Sequence, residues 1–407
     1  MRWHILTGEY PATGERAEPD RDPTTVDGPT GGVADYTRLV AQGLVAAGDT
    51  VDVWVPAVRS DTAESVHLWN DEDIVVHGLP DHFGGRSLVN LTRALRAERG
   101  PHRILVQYVP HAFGWRGANI PFCLWLGLRT RDAIWVMFHE VAYPISPRQR
   151  LLHNGLGVVT RGMASLVASA AERIFVSIPA WKPLIRPVAP ASTPLTWMPV
   201  PSTIGVQANP EATSAVRARC ADGRPLVGHF GTFGALVRPL VLDATALVVE
   251  QTDANVLLLG RESEAAAAAL IGRAPALRSR VHATGVLSPH ALSHHIAACD
   301  VMLQPYPDGV SSRRTSVMAA LAHARPVVTT TGPLTEDIWH EGGVILCPVG
   351  DVAALAAAVA ALLRTPSYAD RVQAAGRALY DSRFDLRHTM AALREADAPS
   401  VGLRAAS

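Results

Sequence analysis

Along most of the chain, short apolar runs alternate with longer segments whose apolar positions recur every three or four residues. The runs predict buried strands, the recurring positions predict amphipathic helices, and their regular alternation predicts parallel β-α-β units. In the first half, strands are expected at Ile5–Leu6, Val51–Val55, Ile74–His77, Ile104–Val109, Ile134–Phe138 and Ile174–Ile178. Helical patterns lie over Val33–Val45, Leu88–Arg99, Ile120–Arg129 and Leu151–Ala171. A second alternating set starts at Leu226–Phe230, continues through a helix over Leu236–Glu250, and adds strands at Val256–Leu259, His282–Val286, Val301–Gln304, Pro326–Val328 and Val344–Leu346. Helices are expected at Pro289–Ala298, after Thr315-Ser316 and over Val352–Leu363, with an amphipathic helix at Phe384–Leu393 closing the chain. Pro179–Pro201 is proline-dense and Thr203–Gly223 is polar and small, a shift that marks an inter-domain connection. The expected architecture is α/β, with two doubly wound Rossmann-like domains. Residues 1–200 form the first, 201–224 a linker and 225–383 the second; 384–407 form a helix and tail returning to the first domain.

Polar punctuation falls at the carboxyl ends of the strands, where open α/β sheets bind ligands. After Val301–Gln304, the stops Pro305, Pro307 and Gly309 lead into Asp308 and Ser311-Ser312-Arg313-Arg314-Thr315-Ser316. Hydroxyls, two guanidiniums and a helix amino end are suited to phosphate. The plainer alternative has Ser311 and Ser312 capping the helix and the arginines in water or in surface ion pairs. Gly31-Gly32 opens a helix after a long polar segment, Pro11–Pro29, which reads as a mobile functional loop. His111 and His139-Glu140 follow buried strands; a rim imidazole can donate to a sugar hydroxyl or a phosphate, or simply bond locally. In the second half Gly231-Thr232-Phe233, Arg238, Arg261 and Gly285-Val286 occupy equivalent positions. Two domains facing one another would gather these loops into one cleft, and their chemistry implies an anionic ligand, most simply a diphosphate.

Composition narrows the classes. The 37 basic and 37 acidic side chains balance, which argues against general nucleic-acid or membrane-surface binding. Cys123, Cys220, Cys299 and Cys347 are far apart and predict free, mostly buried thiols in a reducing compartment. With no signal-peptide or membrane-spanning segment in the sequence, a cytoplasmic protein is expected. Pro121–Leu126 is apolar and aromatic; it reads as ordinary core because it is short and ends in Arg129-Thr-Arg-Asp132, with contact to a lipid-linked acceptor as the other reading. The Walker lysine loop, G-x-G-x-x-G at the first strand, H-E-x-x-H and G-x-S-x-G are all missing, which removes most of the weight from phosphate transfer, hydride transfer, zinc proteolysis and serine hydrolysis.

The ordered set Gly31-Gly32-Val-Ala-Asp-Tyr-Thr, Phe138-His139-Glu140, Gly231-Thr-Phe, Ser288-Pro-x-x-Leu292 to Cys299-Asp300, and Pro305 to Val328, closed by the terminal helix, resembles the retaining, nucleotide-sugar-dependent glycosyltransferases of the GT-B architecture, family four. The resemblance implies a nucleoside-diphosphate sugar as donor, with its base near Arg261 and Gly285-Val286. Its diphosphate would lie across Gly31-Gly32, Thr232 and the helix start at Thr315-Ser316. His139 would contact the donor sugar, and a saccharide, lipid-linked or small-molecule acceptor would enter on the first domain near His111 and Glu140. No metal is expected, because guanidinium and amide dipoles would neutralise the leaving group, and no cofactor besides the donor. Nothing suggests pyridoxal phosphate either, since Lys182 lies in the proline-rich segment.

The chain departs from that family in two places. Thr232 and Arg238 stand where an Arg and a Lys are usual, and Ser311 and Ala319 stand where two glutamates are usual. Asp308 is then the candidate replacement carboxylate, and Arg313 or Arg314 the replacement for the basic pair, with Arg314 as principal diphosphate ligand. The departures keep other readings open: a catalytically silent protein that binds nucleotide or a partner, or an epimerase or phosphorylase on the same architecture.

Overall fold

The alternation folds into two sheets in the computed structural model of the chain, which describes residues 1–11, 31–57 and 66–395. The expected mobile loop, Pro11–Pro29, lies outside the described residues from position 12 onward, as does the tail from 396. The first unit runs β1 (Arg2–Leu6), α1 (Gly32–Ala46), β2 (Thr50–Pro56), β3 (His67–Asp71), β4 (Ile74–Leu79), α2 (Gly85–Ala97), β5 (His102–Tyr108), α3 (Ile120–Gly127), β6 (Ala133–Phe138), α4 (Leu151–Ala170), β7 (Arg173–Val176), α5 (Lys182–Ile185) and β8 (Leu195–Trp197). Its strand order is β3-β4-β2-β1-β5-β6-β7-β8. Among the described residues, only the β3–β4 hairpin is antiparallel. The order reverses beside β1, where Ile5 pairs with Val53 on one side and Leu105 on the other.

The second unit runs α6 (Pro210–Cys220), β9 (Leu226–Phe230), α7 (Arg238–Gln251), β10 (Asn255–Leu259), α8 (Ser263–Arg273), β11 (Val281–Ala283), α9 (Pro289–Ala298), β12 (Val301–Gln304), α10 (Thr315–Ala322), β13 (Val327–Thr331), β14 (Ile345–Pro348), α11 (Val352–Arg364) and α12 (Pro366–Leu379). All its strand pairs are parallel, in the order β11-β10-β9-β12-β13-β14, so its reversal lies beside β9. The last helix, α13 (Leu386–Arg394), packs on α1 of the first unit: Arg394 donates to the Ala47 carbonyl at 3.0 Å. Contacts divide the chain into Met1–Pro199 with α13, and Val200–Asp385.

Two expectations need correction. Residues 201–224 are not a linker, because they contain α6, which belongs to the second unit. Asn209 caps that helix through its side chain, Arg217 pairs with Asp300 at 2.9 Å, and the Asn255 amide donates to the carbonyls of Cys220 and Ala221. The helix buries only Val216 and Cys220, so its apolar stripe is too thin for periodicity to reveal. The proline-dense segment likewise hides β8, a three-residue edge strand on β7. β3 and α12 also lie outside the expected set. The first is a polar hairpin edge and the second a helix with few buried positions.

Each unit closes on its own apolar core. In the first, Leu91, Ile104, Val106, Phe122, Val136 and Val167 bring α2, α3 and α4 onto one face of the sheet. In the second, Val227, Leu258, Leu303 and Val328 meet Val241, Val248, Leu355 and Val359 of α7 and α11. Each such side chain contributes about 1.5–3 kcal/mol when fully buried, which is what holds the strand ends in register. The four cysteines are free and buried.

Candidate functional site

The loop from β12 to α10 folds on itself around one carboxylate. Arg313 Nη2 donates to Asp308 Oδ2 at 3.1 Å, and Arg314 Nη2 donates to Asp308 Oδ1. The Arg314 guanidinium also lies over the Tyr306 ring, 4.5 Å from its centroid, while the Tyr306 hydroxyl and Ser316 Oγ share a hydrogen bond of 2.7 Å. Arg314 Nε is buried without a partner among the described residues, as is Ser311 Oγ. Two fixed cations therefore flank the first turn of α10, whose leading amides have no intrahelical acceptor.

The serines do not cap α10. Its N-cap is Arg314, with no side-chain cap, and Ser312 is instead bound to Glu336. The Ser312 amide donates to Glu336 Oε1 at 2.9 Å and its hydroxyl to the same oxygen at 2.5 Å, while Trp339 Nε1 donates to Glu336 Oε2 at 2.7 Å. Burial raises the Glu336 carboxyl above its ordinary range, and the bonds from Ser312 and Trp339 oppose the shift. Gly309 supplies the tight return, at φ +85°; a Cβ there would stand 2.4 Å from the Gly332 nitrogen. Asp308 thus serves as an anchor for two guanidiniums, and both of its oxygens are engaged. Ser311 and Ala319 are fully buried.

The loops after β9, β10 and β11 are laced together. The Gly231 amide donates to the Leu259 carbonyl at 3.1 Å, the Gly260 amide to the Gly285 carbonyl at 3.2 Å, and the Gly285 amide to Ser263 Oγ at 2.9 Å. Gly260, at φ +107°, would place a Cβ 2.4 Å from the Gly231 carbonyl oxygen, so only glycine fits this approach. Thr232 and Val286 are exposed, and Arg261 is partly exposed with no hydrogen bond among the described residues. Arg238 opens α7 and pairs loosely with Glu262, at 3.9 Å. Phe233, expected to contact a ligand, is instead core: it is 1% exposed and stands edge-on to His229. His229 Nδ1 donates to the Leu303 carbonyl at 2.8 Å, its Nε2 lacks a partner among the described residues, and burial pushes its pKa down to about 4. Where the β9–β12 ladder ends, the Gln304 amide continues it, with its nitrogen donating to the Phe230 carbonyl at 3.1 Å.

On the first unit, His139 is 6% exposed, its Nε2 bonds Gln107 Oε1 at 2.8 Å, and its ring meets Tyr36 edge-on at 4.9 Å. Burial pushes its pKa down to about 3, so it is neutral at physiological pH and acts only as a hydrogen-bonding group. Its carbonyl accepts from Ser177 Oγ and Trp181 Nε1 at 3.0 and 3.1 Å, which fixes the turn that leads to Glu140. His111 is exposed and Glu140 partly so. The Gly31 amide already donates to Glu9 Oε2 at 3.0 Å, beside exposed Gly32. Glu9, Gln107 and Glu336 were not among the sequence candidates; the position of Gln107 on a strand whose rim carries His111 was the one available signal.

Among the described residues, no group of three or more His, Cys, Asp or Glu could hold a metal ion. Residues 225–365 match the family model described as Glycosyl transferases group 1. The fold is similar over nearly its whole length to solved structures. Sucrose-phosphate synthase from Thermosynechococcus elongatus is 17% identical, over 98% of this chain and 100% of that one, at TM-score 0.70. HepE from Anabaena, in complex with UDP and glucose, is 13% identical over 97% and 99%, at TM-score 0.67. The UDP-forming α,α-trehalose-phosphate synthase from Burkholderia vietnamiensis is 14% identical over 97% and 98%, at TM-score 0.66. At these identities the likeness is one of fold. No curated protein matches the chain in sequence.

Proposed function

We infer, from a second unit that carries a group 1 glycosyltransferase domain over residues 225–365 and from the GT-B fold of the whole chain, that this glycosyltransferase moves a hexose-type sugar from a nucleoside-diphosphate sugar to an acceptor. The reaction proceeds with retained anomeric configuration and without a metal ion. The observation that carries the donor assignment is the pair Arg313 and Arg314, held by Asp308 at the start of α10 beside the reversal of the second sheet. Breaking the sugar–phosphate bond leaves negative charge on the departing diphosphate. Cations already fixed in place, the exposed Thr232 turn and the leading amides of α10 meet that charge without reorganising. Loss of one such donor typically costs about two to three orders of magnitude in rate.

Asp308 has a positioning role in this reading, since it aligns both guanidiniums while each keeps further N–H donors for phosphate. HepE was solved with UDP and glucose, which makes uridine nucleotides the first donors to try. The acceptor is assigned to the first unit, near His111 and Glu140. Neutral His139 is assigned a hydrogen bond to a sugar hydroxyl, a role compatible with its Gln107 partner.

The experiment is a mixture of nucleotide sugars incubated with the protein, the retained one identified by mass spectrometry and then followed for slow hydrolysis. Retention with turnover is expected, and failure to retain any nucleotide sugar would refute the reading. A second reading is favoured by the burial of Ser311 and Ala319, where the resembled family carries carboxylates. It describes a nucleotide-binding protein without transfer activity, and tight retention with no turnover would select it.

A further inference from the structure

The surface of α3 and the start of α4 carries a feature the donor reading does not use. The helix Pro121–Leu126 is core on one face only: Phe122, Cys123 and Leu126 are buried. Ile120, Leu124 and Leu128, four residues apart, form an outward stripe, with Leu128 80% exposed. α4 packs beside α3 in the same helical layer. It begins with Leu151 and Leu152, exposed to 89% and 84%, and shows Val158 two turns on. About half of the large apolar side chains exposed among the described residues fall between residues 115 and 158. A single exposed leucine needs no explanation, but a concentration on one pair of adjacent helices marks an interaction surface.

Charge identifies the partner. The chain as a whole is neutral, with 37 basic and 37 acidic side chains. Residues 115–161, in contrast, hold six arginines against Asp132 and Glu140 alone. Arg129 is taken by Asp132, and Arg161 by the carbonyls of Tyr143 and Gly157. Arg116, Arg131, Arg148 and Arg150 remain exposed; Arg131 follows Leu128 by three residues, and Arg148 and Arg150 lie just before Leu151-Leu152. Exposed leucines with exposed arginines beside them in the chain match a bilayer, with apolar side chains entering the acyl boundary and guanidiniums on phosphate headgroups. We propose that this face of the first unit docks the protein on the surface of an anionic lipid bilayer. No single helix among the described residues is long and apolar enough to cross a membrane, so the contact is peripheral. The proposal does not rest on the donor site, since every residue it names lies in the first unit.

Flotation of the full chain with vesicles tests it. Wild-type protein should float with vesicles of equal parts phosphatidylcholine and phosphatidylglycerol, stay at the bottom with phosphatidylcholine alone, and be released by high salt. Arg148→Glu/Arg150→Glu should weaken binding by ~25-fold or more, at about fivefold per arginine removed. Leu151→Ser/Leu152→Ser should weaken it by about tenfold or more. Both pairs are exposed, so melting temperature and nucleotide retention should stay at wild-type values. Wild-type protein remaining at the bottom with anionic vesicles would overturn the proposal, as would either double variant floating like wild type. Equal flotation on phosphatidylcholine alone would also overturn it. So would a wild-type dimer that Leu151→Ser/Leu152→Ser dissolves, because the face would then meet a second copy.

Discussion

Arg314 makes three kinds of contact at once: an ion pair with Asp308, a cation–π contact with Tyr306, and a position at the N-cap of α10. A planar guanidinium can lie over the ring, pair with the carboxylate along its edge and still present N–H donors, a geometry that an ammonium does not reproduce. Arg314→Lys is therefore expected to behave like Arg314→Ala in nucleoside-diphosphate titrations, with affinity reduced roughly 10- to 100-fold in each. Rescue by lysine would show that charge alone matters. The buried imidazoles make a separate prediction. Burial holds His139 at about 3, and His4 and His229 at about 4, against the ordinary 6.5. An unfolded chain takes up these protons below about pH 6.5, while the folded chain refuses them until near pH 4. The stability they contribute is thus complete above about pH 6.5 and is lost progressively as pH falls from there to the folded values near 4. Melting temperature should drop as pH falls from about 6.5 to about 4, and His229→Gln should flatten the drop; an unchanged slope would remove His229 as a cause.

The β12–loop–α10 element shows what could be read in advance and what could not. Its strand and helix were legible because Val301–Gln304 and Val317–Ala322 are apolar with the right periods, and its stops because Pro305, Pro307 and Gly309 cannot continue a strand. The partners of its loop were not legible. Glu336, which holds Ser312, comes from beyond β13, and no local pattern marks a carboxylate that is buried only after folding. Ser312, read as a hydroxyl for phosphate with helix capping as the plainer alternative, is engaged elsewhere: both readings are local, and a long-range acceptor overrode them. Replacing Glu336 with Ala would leave the Ser312 amide and the Trp339 indole without acceptors. A stability loss of about 1–3 kcal/mol per group is expected in chemical denaturation. A loss near zero would mean that water replaces the carboxylate. Gly260→Ala should destabilise the unit by more than ~1 kcal/mol, through its positive φ and the Gly231 carbonyl it would strike.

Over the whole molecule, the α/β class and most strands followed from hydrophobic period alone, because parallel strands buried on both faces read as uninterrupted apolar runs. Elements that escaped, among them α5, α6, β8, β3 and α12, bury little, and so carry little pattern. The apolar and basic face of α3 and α4 escaped for a different reason. A helix with leucines on every side looks like core in sequence, and overall neutrality conceals a local excess of arginine. The central claim is that two guanidiniums anchored by Asp308 grip a nucleoside diphosphate at the start of α10. Calorimetric titration of UDP into wild-type protein and Arg314→Ala tests it most directly. The account predicts saturable binding to the wild type and a loss of roughly 10- to 100-fold in the variant. Equal affinity in the two proteins would contradict it.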